Sequence, residues 1–417
     1  MIVASRWVLA AAVLLLAMGA SVVDGAKRRG TRTRREIDVQ TGPSEEQVWD
    51  SGLMEKEVSY ATLIEHGREY HSESRNVKRV RGFVLGYVTP WNRLGYEMAV
   101  RFRKKLDAVS PVWFQVKQEQ GATEPSITGG HEVNQTWIKA LRKGGKGPLV
   151  VPRFILEGAP GSHVAMLSDQ RPLVEGIVKV LEDNHLDGLV LEAWSAWHSF
   201  NGLQNDHFRQ AAFALIQSLH QVLDASGGKK LFLAVPPLYP SHEKAPWLAR
   251  DDMIELSKWV DGFSVMTYDY SSTQGRPGPN SPAHWVSANL EVLKRGGEKD
   301  PVPPPPDLEP KFLLGVNFYG WDSCPSRASR GNGAGALEAL TAPSFLKLLQ
   351  QHQPALEWQE EAEEHMFEYV DKDGFSHTVF YPTPRSLEAR LQAAQTANVG
   401  LSIWELGQGM ERFFDLL

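Results

Sequence analysis

Carboxylates and aromatic rings recur in this sequence at one kind of place, the C-terminal end of a short apolar run. In chain order they are Tyr87 and Trp91, Trp113 or Gln115, Glu157, Glu192 with Trp194 and Trp197, Pro236 and Tyr239, Tyr268 with Asp269 and Tyr270, Asn317 with Tyr319 and Trp321, and Trp404 with Glu405. A sugar ring presents C–H faces that stack on aromatic rings, and its hydroxyls need fixed polar partners, so this mixture has the composition of a saccharide groove. Any single tryptophan in the set is accounted for by ordinary core packing, and a structural role as a satisfied carboxylate at a strand end stays open for Asp269 and Glu405. The argument rests on the group.

The runs that deliver these residues are FVLGYV (83–88), PVWFQVK (111–117), PLVVPRFI (148–155), DGLVLE (187–192), LFLAVPP (231–237), DGFSVMTY (261–268), KFLLGVNFY (311–319) and VGLSIWEL (399–406). Between them lie helical patterns such as VEGIVKVLEDN and HFRQAAFALIQSLHQVLDA. Near-continuous apolar strands with helical crossovers mean a parallel sheet covered on both faces, and eight such units predict a (β/α)8 TIM barrel, an α/β fold. Barrel chemistry sits at the C-terminal ends of the strands, which is where the polar and aromatic residues cluster. The long gap between the seventh and eighth strands holds EHMFEYV (364–370) and SHTVFYP (376–382) around Asp371-Lys372-Asp373-Gly374, which reads as a small β-hairpin inserted in a barrel loop. The proline run at 301–306 reads as a stiff surface connector.

The chain has 417 residues, 42% of them hydrophobic and 23% charged, enough for a large core. A net charge of −6 argues against nucleic acid as a partner. Residues 1–26 carry Arg6, an apolar run from Trp7 to Met18 and then small residues, the pattern of a secretory signal peptide; the apolar run is short for a membrane span, and no membrane insertion is expected. Residues 27–79 form a basic and then polar N-terminal segment, opening on KRRGTRTRRE, and the barrel is assigned to 80–417. Cys324 is the only cysteine, so no internal disulfide can form. Asn134-Gln135-Thr136 is an N-glycosylation acceptor in a secreted chain. No cofactor or metal site is expected.

Four stretches carry a family resemblance: Asp187-Gly188, Met266-Thr267-Tyr268-Asp269, Leu314 through Gly320, and Ser402-Ile403-Trp404. In that order and on those strands they resemble glycoside hydrolase family 18, the chitinase-type barrels, over about residues 80–417. VLGYVTPWN, SPVWFQVK, DGFSVMTYDYS and SIWELGQG resemble more narrowly an animal chitinase-like branch of it. The family implies substrate-assisted catalysis, in which a D-x-x-D-x-D-x-E motif on the fourth strand supplies a glutamate acid and an aspartate that orients the substrate acetamide. Laid on this chain, the motif positions are Asp187, Val190, Glu192 and Trp194, so the proton donor is replaced by an indole, which has no usable acidity. Glu192 sits one pleat earlier, roughly 6.6 Å deeper by strand rise, and reaches the scissile oxygen only if the strand is bulged.

The resemblance thus implies a secreted, non-catalytic lectin for chito-oligosaccharides and other N-acetylated glycans. It assigns saccharide contacts to Tyr87, Trp91, Glu192, Trp194, Tyr268, Asp269, Tyr319, Trp404 and Glu405, with Trp404 as the hydrophobic floor and Trp194 as a stacking face in place of the acid. The animal branch extends the partners to lipopolysaccharide and to a stabilin-type scavenger receptor that routes the protein to lysosomes, an innate-immune role. Two other readings stay open: an active glycosidase using Glu192 as an unconventional acid, and a protein-interaction module whose groove is a relic.

Overall fold

The computed structural model describes residues 37, 39–119, 121–145, 147–239, 248–295, 305–328 and 337–417. The signal peptide, the basic run and most of the proline run expected above lie outside these residues. A single eleven-stranded sheet forms the centre. Its first barrel strand, Val84–Val88, pairs in parallel with Ala108–Pro111 on one side and with the last strand, Gly400–Trp404, on the other. The order then runs through Phe312–Asn317, Gly262–Val265, Lys230–Val235, Gly188–Glu192 and Arg153–Glu157 to Phe114–Lys117, all parallel neighbours. The short strand Ser126–Thr128 is added antiparallel at that edge.

The second and third barrel strands depart from expectation in being broken. Val112 and Trp113 separate Ala108–Pro111 from Phe114–Lys117, while Val151 and Pro152 separate Leu149–Val150 from Arg153–Glu157. The first halves pair with each other, and so do the second halves, so chain continuity through the two breaks joins the ends of the sheet into a (β/α)8 barrel. Proline has no N–H to give a ladder, so Pro152 is a natural place for the third strand to break.

Alternation divides the side chains of these strands into two cores. Leu85, Tyr87, Ala108, Val112, Val151, Val190, Phe232, Ala234 and Leu313 fill the lumen. The intervening residues join the larger core between sheet and helices. Helix Asp206–Ala225 shows how the outer layer forms: Asn205 caps it by accepting from the Phe208 N–H, Asp206 sits in the first turn against the helix dipole, and Ala212, Leu215, Ile216, Leu219 and Leu223 make its buried face.

The insertion before the last strand is larger than a hairpin. The expected pair is there, as Glu364–Val370 and Ser376–Tyr381, but it belongs to a five-stranded antiparallel sheet that also includes Gly320–Ser323, Leu337–Leu340 and Glu357–Gln359. In the N-terminal segment, Thr41–Ser44 pairs with Arg68–His71, and Leu63 and Ile64 of helix Tyr60–His66 enter the main core. That segment is locked on by Arg412, fully buried, which donates to the carbonyls of Glu46 and His66 and pairs with Glu69 and Asp415 at 2.8 and 3.2 Å. No helix among the described residues is long and apolar enough to cross a membrane.

Candidate functional site

At the C-terminal mouth of the lumen the structure brings together Tyr87, Glu192, Tyr268, Asp269, Tyr319 and Trp404. The Trp404 ring lies over the lumen plug, 5.2 Å from Tyr87, and is partly exposed. Tyr87 is nearly buried and donates to Ser264 Oγ at 2.8 Å; burial pushes its phenol well above the ordinary range. Tyr268, half-buried, is pushed up chiefly by burial, with Tyr87, Asp269 and Glu192 adding and Arg153 opposing, so it stands at neutral pH as a hydroxyl.

Asp269 has a left-handed backbone, φ +66°, held where the Asn280 side chain accepts its N–H at 2.6 Å. Asn280 is fully buried, donates to the Tyr319 carbonyl, and gives its own N–H to Glu364. The Asp269 carboxylate accepts from the Tyr319 hydroxyl at 2.5 Å and from the Trp321 indole at 3.1 Å. Burial raises its pKa against those donors. Trp321 is on the first strand of the inserted sheet, so the insertion completes this side of the mouth.

Glu192 is paired with Arg153 at 2.7 Å, the two side chains being 20% and 11% exposed. The guanidinium lies 6.0 Å over the Trp404 ring. Arg153, Ser264 and Asn280 were missed in the sequence. Parity from Val151 would have placed Arg153 in the lumen, and an arginine inside an apolar strand calls for a buried acceptor, which Glu192 on the adjacent strand provides.

Other expected residues fall elsewhere. The strand ends at Glu192, Ala193 turns at φ −146°, ψ −26°, and Trp194 opens helix Trp194–Ser199. Trp194 is therefore 3% exposed in the outer core, 6.2 Å from Trp197 and 6.0 Å from Phe213, and does not offer a stacking face to the mouth. Glu405 is fully buried: Asn92 and the Gly407 N–H donate to its two oxygens, and burial pushes its pKa up to about 7. It pins the loop after the first strand and is not a saccharide contact. Trp113 and Trp197 are core residues, and Tyr270 packs on Trp285. Trp91 and Tyr239 are 44% and 52% exposed, and Glu157 is exposed at the rim. Asn134 is exposed and caps helix Gln135–Leu141 through its carbonyl oxygen. In the N-terminal segment Glu46, His66 and Glu69 bring ligand atoms within 4.8 Å of one another, and Arg412 already engages Glu69.

A family model described as glycosyl hydrolases family 18 matches residues 158–409. An uncharacterized glycosylase, YvbX of Bacillus subtilis (strain 168), is 24% identical over 224 residues, 52% of this chain and 60% of its own length. A cortical fragment-lytic enzyme of the same organism is 23% identical over 43% of this chain and 39% of its own length. The chain thus spans only part of these relatives. In solved structures, a chitinase from Chromobacterium violaceum ATCC 12472 superposes with a TM-score of 0.62 at 20% identity, covering 80% of this chain and 97% of that one. A plant class V chitinase mutant from Cycas revoluta in complex with (GlcNAc)3 gives 0.60 at 14% identity, covering 80% and 97%. At such identities the likeness speaks for the fold.

Proposed function

The chain belongs to glycosyl hydrolases family 18, and from that premise we propose that its barrel is a non-catalytic lectin for chito-oligosaccharides and related N-acetylated glycans. The carrying observation is at the end of the fourth strand. The family motif, laid on this sequence, puts its glutamate at Trp194, which is turned into the helix layer, and Glu192, two residues earlier, is paired with Arg153 at 2.7 Å. Arg153 fixes this carboxylate one pleat short of the motif's acid position. An acid also needs to lie about 3 Å from the oxygen it protonates.

The same mouth suits binding. Trp404 offers a sugar face over the lumen plug, Tyr268 a neutral hydroxyl, and Asp269 an acceptor fixed by two donors. The proposal extends, through the stabilin-interacting branch of chitinase domain-containing proteins, to secretion, glycosylation at Asn134, lysosomal delivery, lipopolysaccharide and a scavenger-type receptor. It is tested by titrating the protein with chito-oligosaccharides of increasing length, following tryptophan fluorescence while assaying new reducing ends. Saturable quenching without reducing ends is expected. Reducing ends in proportion to enzyme would overturn the non-catalytic reading, and absence of quenching the lectin.

A further inference from the structure

Arg153 is the one mouth residue whose chemistry the lectin reading leaves unused. It enters the lumen from the third strand, facing Val190 in register, with Ile155 opposite Glu192. Its side chain is nine-tenths buried, and its guanidinium bridges Glu192 at 2.7 Å and the Trp404 ring at 6.0 Å. A guanidinium carries five N–H donors. Among the described residues only Glu192 accepts from it, through Nη1; Nε is enclosed without a partner and out of a ligand's reach, and Nη2 is neither enclosed nor matched, so the donors open to a ligand are at the Nη end. A donor covered without a match is costly, so a ligand that closes over the Nη end has to bring an acceptor.

Charge decides what kind. The mouth holds one guanidinium and two carboxylates, Glu192 paired with Arg153 and Asp269 held by Tyr319 and Trp321, and all three lie close enough to Tyr268 to act on its hydroxyl. A carboxylated or phosphorylated sugar would add a further anion to a site with more acids than bases, which like-charge repulsion opposes. A neutral group with an acceptor and a donor side by side fits the existing pair: the acceptor takes an Arg153 N–H and the donor goes to Glu192. The acetamide of an N-acetylated sugar is such a group, and a bare hydroxyl offers the same functions only at a single atom.

We propose that Arg153 is a specificity-determining residue of the groove, donating to the acetamide carbonyl of the bound sugar while Glu192 accepts the acetamide N–H. This rests on the saccharide-binding reading above. The test compares chitotetraose with cellotetraose, which has hydroxyls in place of the acetamides, on the full chain and on Arg153→Met and Arg153→Lys. A charge-assisted hydrogen bond predicts that the wild type prefers chitotetraose by about ten- to a hundredfold and that Arg153→Met abolishes most of that ratio. Cellotetraose affinity should stay within about twofold, and Arg153→Lys, which keeps a cationic donor, should retain a preference of about tenfold. Because Arg153→Met strands Glu192, the double variant Arg153→Met/Glu192→Gln serves as a folded control and should show the same lost selectivity. Equal weakening of both sugars, or an unchanged ratio, would show a structural role and sink the proposal. Binding of both sugars without preference by the wild type would overturn it alone, whereas binding of neither would overturn the lectin reading with it.

Discussion

Replacing Trp194 separates the two accounts of this position most cleanly. The ring is 3% exposed and packed between Trp197 and Phe213. Truncation to alanine in such a layer costs about 3–5 kcal/mol, since both transfer energy and a cavity are involved. Trp194→Glu, which restores the residue type of the family motif, loses that packing and also buries a carboxyl. The neighbouring cation, Arg209, lies 4.8 Å over Phe213 and is already paired with Asp252. Keeping a glutamate of solution pKa about 4.3 neutral at pH 7 costs about 4 kcal/mol, so the whole penalty is about 7–9 kcal/mol, comparable to the stability of a typical domain. The sign follows from a folded pKa raised above the unfolded one: the penalty shrinks as pH falls. From pH 7 to pH 5 the gap between Trp194→Glu and Trp194→Ala should close by about 3 kcal/mol. Urea denaturation followed by circular dichroism at both pH values measures this, with a reducing-end assay on any folded Trp194→Glu protein. The reasoning fails if Trp194→Ala keeps the wild-type midpoint and loses only saccharide affinity, or if Trp194→Glu is stable and cleaves chitotetraose.

Trp404→Ala should weaken chito-oligosaccharide binding by about 1–3 kcal/mol, read by calorimetry, with the fold retained. Glu405 contributes stability that is fully present below about pH 4.5 and lost as pH rises through about 7, so the Tm of wild type relative to Glu405→Gln should fall across that window by the equivalent of about 3 kcal/mol. A flat difference would mean that the carboxyl is not desolvated. Arg412→Met leaves Asp415 buried and Glu69 half-buried without the guanidinium they share and should cost about 3–5 kcal/mol, with earlier proteolysis of the N-terminal segment than of the barrel.

The barrel was legible because its strands are covered on both faces, so they read as unbroken apolar runs, and because one alternation puts Tyr87, Glu192 and Trp404 on the lumen side. The same alternation misled where a strand had already ended. Parity from Glu192 sends position 194 into the mouth, but the turn at Ala193 hands it to a helix, and an aromatic ring is equally at home in either layer. Glu405 follows Trp404 and so has the opposite parity; its partners, Asn92 and Gly407, lie in loops whose approach no periodicity announces. Arg153 was passed over because it lies inside the third run and not at its C-terminal end, although parity from Val151 places it in the lumen. Asp269 was placed by its motif, but what aims it, Asn280 and Trp321, comes from a distant loop and from the insertion. Strand ends are thus where local pattern carries least and tertiary contacts most. They are also where a barrel keeps its chemistry, so the carboxylates could be found in the sequence while the partners that hold them had to come from the fold.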